Sequence, residues 1–163
     1  MCSGCGGGRR SASGWSRRRR SFRGGHGKTT TLIAALGIDG LLCSTVVDGA
    51  VNADVFEGFV ACVLLPKLRP GDVVVMDHLS SHQRQRTRKR IEAVGAALVF
   101  LPPYSPDLNP IEMIFSKVKQ TLRSLACRTR EALWKAMQPV LDQVTSGDAM
   151  NGYRHCGYTL RLD

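Results

Sequence analysis

From Thr29 onward, apolar residues recur with spacings that change from strand-like to helix-like and back. TTTLIAALGI (29–38) is a short apolar run, Asp39-Gly40 is a turn pair, and LLCSTVVDG (41–49) is a second run, so the pattern predicts two strands joined by a hairpin. In ADVFEGFVACVLLPKL (53–68), Val55, Phe59, Val63 and Leu64 fall at helical spacing, and Pro66 ends the helix. Beyond the Pro70-Gly71 turn, Val73-Val74-Val75-Met76 is a β-branched run of the kind found in buried central strands, and it closes on Asp77. Residues 80–95 read as a helix with Arg84, Arg86, Arg88, Lys89 and Arg90 on a basic face and Gly95 at its end. AALVFL (96–101) is the next strand, and the rigid loop PPYSPDLNP (102–110) leads into a helix from about Pro110 to Leu125. A further helix over 129–145 aligns Ala132, Leu133, Ala136, Val140 and Leu141 along one face, and the last fifteen residues read as irregular or weakly helical. Strands alternating with helices predict a layered α/β domain.

Residues 1–28 break this texture. They are rich in Gly, Ser and Arg and offer almost nothing to bury, which predicts a disordered segment ahead of a domain over 29–158 and a short tail over 159–163. Two readings of that segment stay open: a flexible nucleic-acid-binding arm, or a tail with no selected role. The formal charge of the chain is +10. Arg9, Arg10, Arg17 to Arg20, Arg23 and Lys28 supply +8 of it with no acid among the first thirty residues, leaving +2 for 31–163. A polyanionic partner is therefore indicated mainly by the segment and only weakly by the domain. The six cysteines are scattered, with a CxxC spacing at Cys2 and Cys5 that no second pair completes, which suits a reducing cytoplasm better than a zinc site or a disulfide framework. No apolar run approaches the ~20 residues that span a bilayer, and no apolar stretch follows the first arginines as in a secretory leader.

Two acids stand out by position. Asp77 ends a strand, where a side chain leaves the sheet edge into the usual site of an α/β fold, and Glu112 lies in the first turn of the helix after the proline-rich loop. Phosphodiester cleavage by two divalent metals needs carboxylates on rigid elements, and Mg2+ or Mn2+ prefers such hard oxygens. Each acid also has a plainer explanation. Asp77 can cap the turn after its strand. Asn109 as N-cap, Pro110 as N1 and Glu112 as N3 form a capping box that accounts for Glu112 without a metal. The arginines of 84–90 can track a DNA backbone or form a solvated helix face. GGHGKTTT lacks the first glycine and the preceding strand of a phosphate loop, and His78 with His82 makes only half a zinc site.

DVVVMDHLSSH followed by VFLPPYSPDLNPIEMIFSKVKQTLR resembles the second half of a DDE-type transposase domain, in the bacterial insertion-sequence branch of the mariner-like superfamily. In that family the second catalytic Asp ends a strand and the catalytic Glu closes PPYSPDLNPIE, with thirty-four residues between the two acids; thirty-four residues also lie between Asp77 and Glu112. TTTLIAALGIDG and VVDGAVNADVFEGFV resemble the family's second and third strands and the helix after them, so the resemblance runs from about Lys28 to Tyr158. It implies a ribonuclease-H-like mixed sheet flanked by helices, with Asp77 and Glu112 as catalytic metal ligands, two Mg2+ or Mn2+ ions and DNA as partner. It further implies His82, Asn109 and Pro110 in support, the basic helix on DNA, homodimers among complete relatives, and a place at the bacterial nucleoid. His78 stands where the family has Asn. The family's first catalytic Asp lies on a first strand upstream of TTTLIAAL, whereas the first acid here is Asp39. The expectation is accordingly a catalytic domain without its first strand and third ligand, inactive as it stands; the alternative is a non-catalytic DNA-binding remnant acting through the basic segment.

Overall fold

The structure, a computed structural model, describes residues 22–23, 29–77, 81–103 and 105–159, without the side chains at 22, 23, 29 and 81–84. Strands β2 (Thr29–Gly37) and β3 (Gly40–Asp48) form the predicted antiparallel hairpin, in register from Thr30 opposite Asp48 to Gly37 opposite Gly40, with one irregularity between Ala35 and Leu36. The turn falls on Ile38 and Asp39, one position ahead of the predicted Asp39-Gly40. Gly40 adopts φ +124°, a backbone conformation that glycine takes without a Cβ clash. A two-residue strand β1 (Phe22–Arg23) lies inside the Gly/Ser/Arg segment and pairs antiparallel with the start of β2. The rest of residues 1–28 and residues 160–163 lie outside the described residues.

Leu32, Ala34 and Leu36 of β2 point to one face and Ile33 and Ala35 to the other, and all five are buried. That is why the run reads as continuously apolar: β2 is a middle layer. On one side, Ile33 and Ala35 pack with Phe56, Phe59, Val60 and Leu64, with Val74 and Met76, and with Ile91 and Leu98. On the other side, Leu32, Ala34 and Leu36 meet three helices of the C-terminal half through residues such as Ile114, Met137 and Tyr153.

Helix α1 (Ala53–Phe59) starts on Asn52, whose side chain accepts from the Val55 N–H at 2.9 Å, widens to a π turn over Val60–Leu64 and tightens over Leu65–Lys67, where Pro66 ends it. Its buried stripe is Phe56, Phe59, Val60 and Leu64; Val55, expected inside, is exposed. The π turn inserts an extra residue per turn, so the stripe returns at Leu64 and leaves Val63 only half-buried. Strands β4 (Val73–Met76) and β5 (Ala97–Phe100) pair in parallel, joined by α2 (Ser81–Ala93) as a βαβ unit. Helix α3 covers Ile111–Ser124 and α4 covers Arg130–Leu141. In α4 the buried face is Leu133, Met137, Val140 and Leu141, with Ala132 exposed. The C-terminal stretch is a regular helix, α5 (Ser146–His155), not the irregular segment expected; Thr145 and Asp148 form a reciprocal capping box at its start. Among the described residues the strands make two sheets, β1-β2-β3 and β4-β5, with no ladder between β2 and β4. No described helix is long and apolar enough to cross a membrane.

Candidate active site

Asp77 is the first residue beyond β4. Met76 is still in the sheet, its carbonyl accepting from the Leu101 N–H at 2.7 Å, so the ladder runs up to the residue before the acid and fixes where its backbone leaves. Asp77 is half-buried, and its Oδ1 is shielded from solvent. The residues that follow, 78–80, lie outside the described residues, as do the side chains of His82 and Arg84 in α2.

From Leu101 the chain turns through the proline-rich loop toward Glu112. Pro106–Leu108 makes a single 3-10 turn, with the Asn109 N–H donating to the Pro106 carbonyl at 3.0 Å. The Glu112 N–H donates in turn to the Asn109 carbonyl at 3.1 Å, which starts α3. The C-terminal helix holds this corner from outside. Tyr158 donates its hydroxyl to the Leu108 carbonyl at 2.9 Å, and a Cβ on Gly152 would lie 3.1 Å from the Pro110 carbonyl oxygen. Nothing in the sequence singles out Gly152 or Tyr158; only the Thr145-x-x-Asp148 pattern announces the helix that carries Gly152 and leads to Tyr158.

Glu112 does not sit in the expected capping box. Helix α3 begins at Ile111 with Pro110, already helical at φ −57°, as its cap, and no side-chain cap bond is made. Glu112 is therefore the second helical residue, where the N-terminal end of the helix dipole favours a carboxylate. Asn109 contributes its main chain to the helix start while its side chain is withheld. The residue is 2% exposed, and its Oδ1 has no hydrogen-bond donor among the described residues. A buried amide oxygen left so costs about 1–3 kcal/mol. Three other buried polar residues are satisfied: the Thr31 hydroxyl donates to the Gly49 carbonyl at 2.7 Å, Thr30 accepts from Trp134 at 3.3 Å, and Asp72 accepts from the Arg69 N–H at 2.8 Å.

Helix α2 carries Arg86, Arg88, Lys89 and Arg90 on its exposed surface. They are not equivalent. Arg90 pairs with Glu57 of α1 at 3.0 Å, and Arg88 pairs with Glu92 at 3.3 Å with its guanidinium 5.6 Å from the centre of the Phe100 ring. Arg86 and Lys89 have no ion-pair partner among the described residues. Two other acids serve the fold: Asp48 meets Arg130 at 3.0 Å, and Asp148 meets Lys117 at 2.6 Å. The Lys117 bond, with the Thr145 N–H, lowers the Asp148 carboxyl to about 2.

The donor chemistry at the end of β4 and the start of α3 is two carboxylates and an amide oxygen, all hard oxygens of the kind Mg2+ and Mn2+ select. The number is smaller than the chemistry of a two-metal site asks for. Among the described residues no group of three acidic, histidine or cysteine side chains is placed to hold a metal.

A family model for the DDE superfamily endonuclease matches residues 7–134, starting ahead of Lys28, where the motif resemblance begins. No curated protein matches. Among solved structures, the Mos1 transposase catalytic domain with Raltegravir and Mg is 16% identical, with a TM-score of 0.63 over 91% of this chain and 81% of that one. The catalytic domain of the Mos1 mariner transposase is 15% identical, with a TM-score of 0.65 over 94% and 85%. The Mos1 strand transfer complex is 19% identical, with a TM-score of 0.68, and this chain spans 52% of that longer chain. At these identities the likeness establishes the ribonuclease-H-like fold, and the family match covers well over half of the sequence. The chain belongs to the DDE superfamily endonucleases.

Proposed function

We propose that this chain is the catalytic domain of a bacterial DNA transposase, acting on nucleoid DNA in the cytoplasm, in which Asp77 and Glu112 hold a divalent cation. The observation that carries this is positional. Within the family match, one carboxylate directly follows a strand, the other opens a helix, and thirty-four residues separate them as in the family motif. The Mos1 catalytic domain with Mg and with Mn, and the Mos1 paired-end complex with a transposon end, support a metal cofactor and a DNA partner. In complete relatives the bound ions activate the attacking oxygen and stabilise the leaving oxygen of a phosphodiester. In this chain Asp77 and Glu112 bind and orient one cation, Pro110 starts the helix that presents Glu112, and Arg86 and Lys89 meet the phosphate backbone. The site is short of a third carboxylate, so this 163-residue chain is not expected to cut DNA by itself.

The test is a nicking assay on supercoiled DNA with Mg2+ and Mn2+, comparing the wild-type chain with Asp77→Ala. Equal, background-level nicking is expected. Robust metal-dependent nicking that Asp77→Ala abolishes would show that two carboxylates suffice and would overturn the inactive reading. A second reading is favoured by the charge distribution: with +8 of the +10 in the first thirty residues, the chain is a DNA-associating remnant that acts through its basic segment.

A further inference from the structure

Among the described residues, Asn109 differs from the buried Thr30, Thr31 and Asp72, whose side chains are hydrogen-bonded. Its main chain is fully used, the N–H on Pro106 and the carbonyl on Glu112, whereas its side-chain oxygen is closed to solvent and meets no donor among the described residues. A carbonyl oxygen is an acceptor only, so what completes it is a cation or a donor. A residue kept at such a position against its own stability is characteristic of a functional site. It sits on the turn that launches Glu112, tied to that residue by the hydrogen bond that starts α3.

We infer that Asn109 belongs to the cation site as its neutral oxygen donor, supplementing the two carboxylates where a third is missing; this rests on the assignment of Asp77 and Glu112 proposed above. An uncharged amide oxygen is a weaker donor than a carboxylate but the same hard type. The role goes beyond starting the helix, which the Asn109 main chain does without its side chain.

The inference is tested on the full 163-residue chain by titrating Mn2+, read by electron paramagnetic resonance, alongside thermal unfolding with and without Mn2+. The variants are Asn109→Leu, Asn109→Asp, and Asp77→Asn as a control. Asn109→Leu is expected to raise the melting temperature of the metal-free chain, because it removes an unsatisfied buried acceptor, and to weaken Mn2+ binding about tenfold. A side chain with a purely structural role gives the opposite: a lower metal-free melting temperature and unchanged Mn2+ affinity, which overturns the inference. If Asn109→Leu does not fold, Asn109→Asp decides, since an added charge on the same atoms must tighten Mn2+ binding; unchanged affinity overturns it. Should Asp77→Asn bind Mn2+ as well as wild type, the metal assignment itself fails and the Asn109 role falls with it. Weakening by Asp77→Asn but not by either Asn109 variant removes the Asn109 role alone.

Discussion

At the scale of single residues, the sequence offers five basic side chains on one helix, and the fold divides them. Arg90 is committed to Glu57 and Arg88 to Glu92 and the Phe100 ring, so both carry part of the packing between α2 and its neighbours. Half-exposed pairs of this kind are worth roughly 0.2–1 kcal/mol each. Arg86 and Lys89 have no such ion pair among the described residues and are the groups available to phosphate. The salt dependence of DNA binding separates these roles, because each phosphate that is no longer neutralised lowers the slope of log K against log salt by about one. Arg86→Ala with Lys89→Ala is expected to reduce the slope by about two at unchanged melting temperature, whereas Arg90→Ala should lower stability by under about 1 kcal/mol and leave the slope nearly intact. If deletion of residues 1–27 removes the slope and the helix variants do not, the basic segment is what binds DNA and the second reading stands.

At the scale of elements, what is legible in the sequence follows from where burial imposes a period. β2 and β4 read correctly because strands covered on both faces must be apolar throughout, β5 reads as a strand although only Leu98 is fully buried and Val99 is exposed, and α2 ends at Gly95 as expected, its φ of +79° closing the helix. Single residues of the amphipathic faces are harder. Val55 and Ala132 are apolar at helical spacing yet exposed, one position off the stripes that bury Phe56 and Leu133, and the π turn brings the first stripe back at Leu64 with Val63 only half-buried. The Asn109 cap fails because capping patterns describe local bonds, and here a residue distant in sequence, Gly152, packs against the same corner. Helix α5 escapes the periodicity although its cap is plain in the letters Thr145 to Asp148. That cap gives a pH signature. Asp148 titrates at about 2 against an ordinary 3.8, so its contribution is complete above pH ~3.8 and is lost as the pH falls toward 2. Asp148→Asn is expected to lower stability at neutral pH and to flatten the stability curve between pH ~4 and ~2. An unchanged acid limb would show that Lys117 and Thr145 do not hold this carboxylate in solution.

At the scale of the whole molecule, the described strands form two sheets that share a core without sharing a ladder. Ile33 and Ala35 of β2 pack in the same cluster as Val74 and Met76 of β4, yet β2 is hydrogen-bonded to β3 and briefly to β1, and β4 only to β5. In a ribonuclease-H-like sheet a further strand lies between them, the strand that the motif resemblance implies is missing, and among the described residues only the two-residue β1 pairs on the edge of β2 opposite β3. Thr31 to Leu36 are buried, so β2 has little access to water. Each backbone group that stays unsatisfied there costs about 1–3 kcal/mol, against a total stability of ~5–15 kcal/mol for a domain. By composition residues 9–23 are a poor source of that strand, because arginine and glycine favour neither a pleated surface nor a buried middle layer, yet Phe22 and Arg23 supply two residues of pairing. The two clusters on either side of β2 should therefore lose their structure over a wide temperature range rather than in one step. Calorimetry of the purified chain is expected to give a broad transition with a van't Hoff enthalpy below the calorimetric one. A single sharp transition with equal enthalpies would mean that residues 1–28 complete the sheet after all, and that the Gly/Ser/Arg segment is part of the domain rather than an appendage to it.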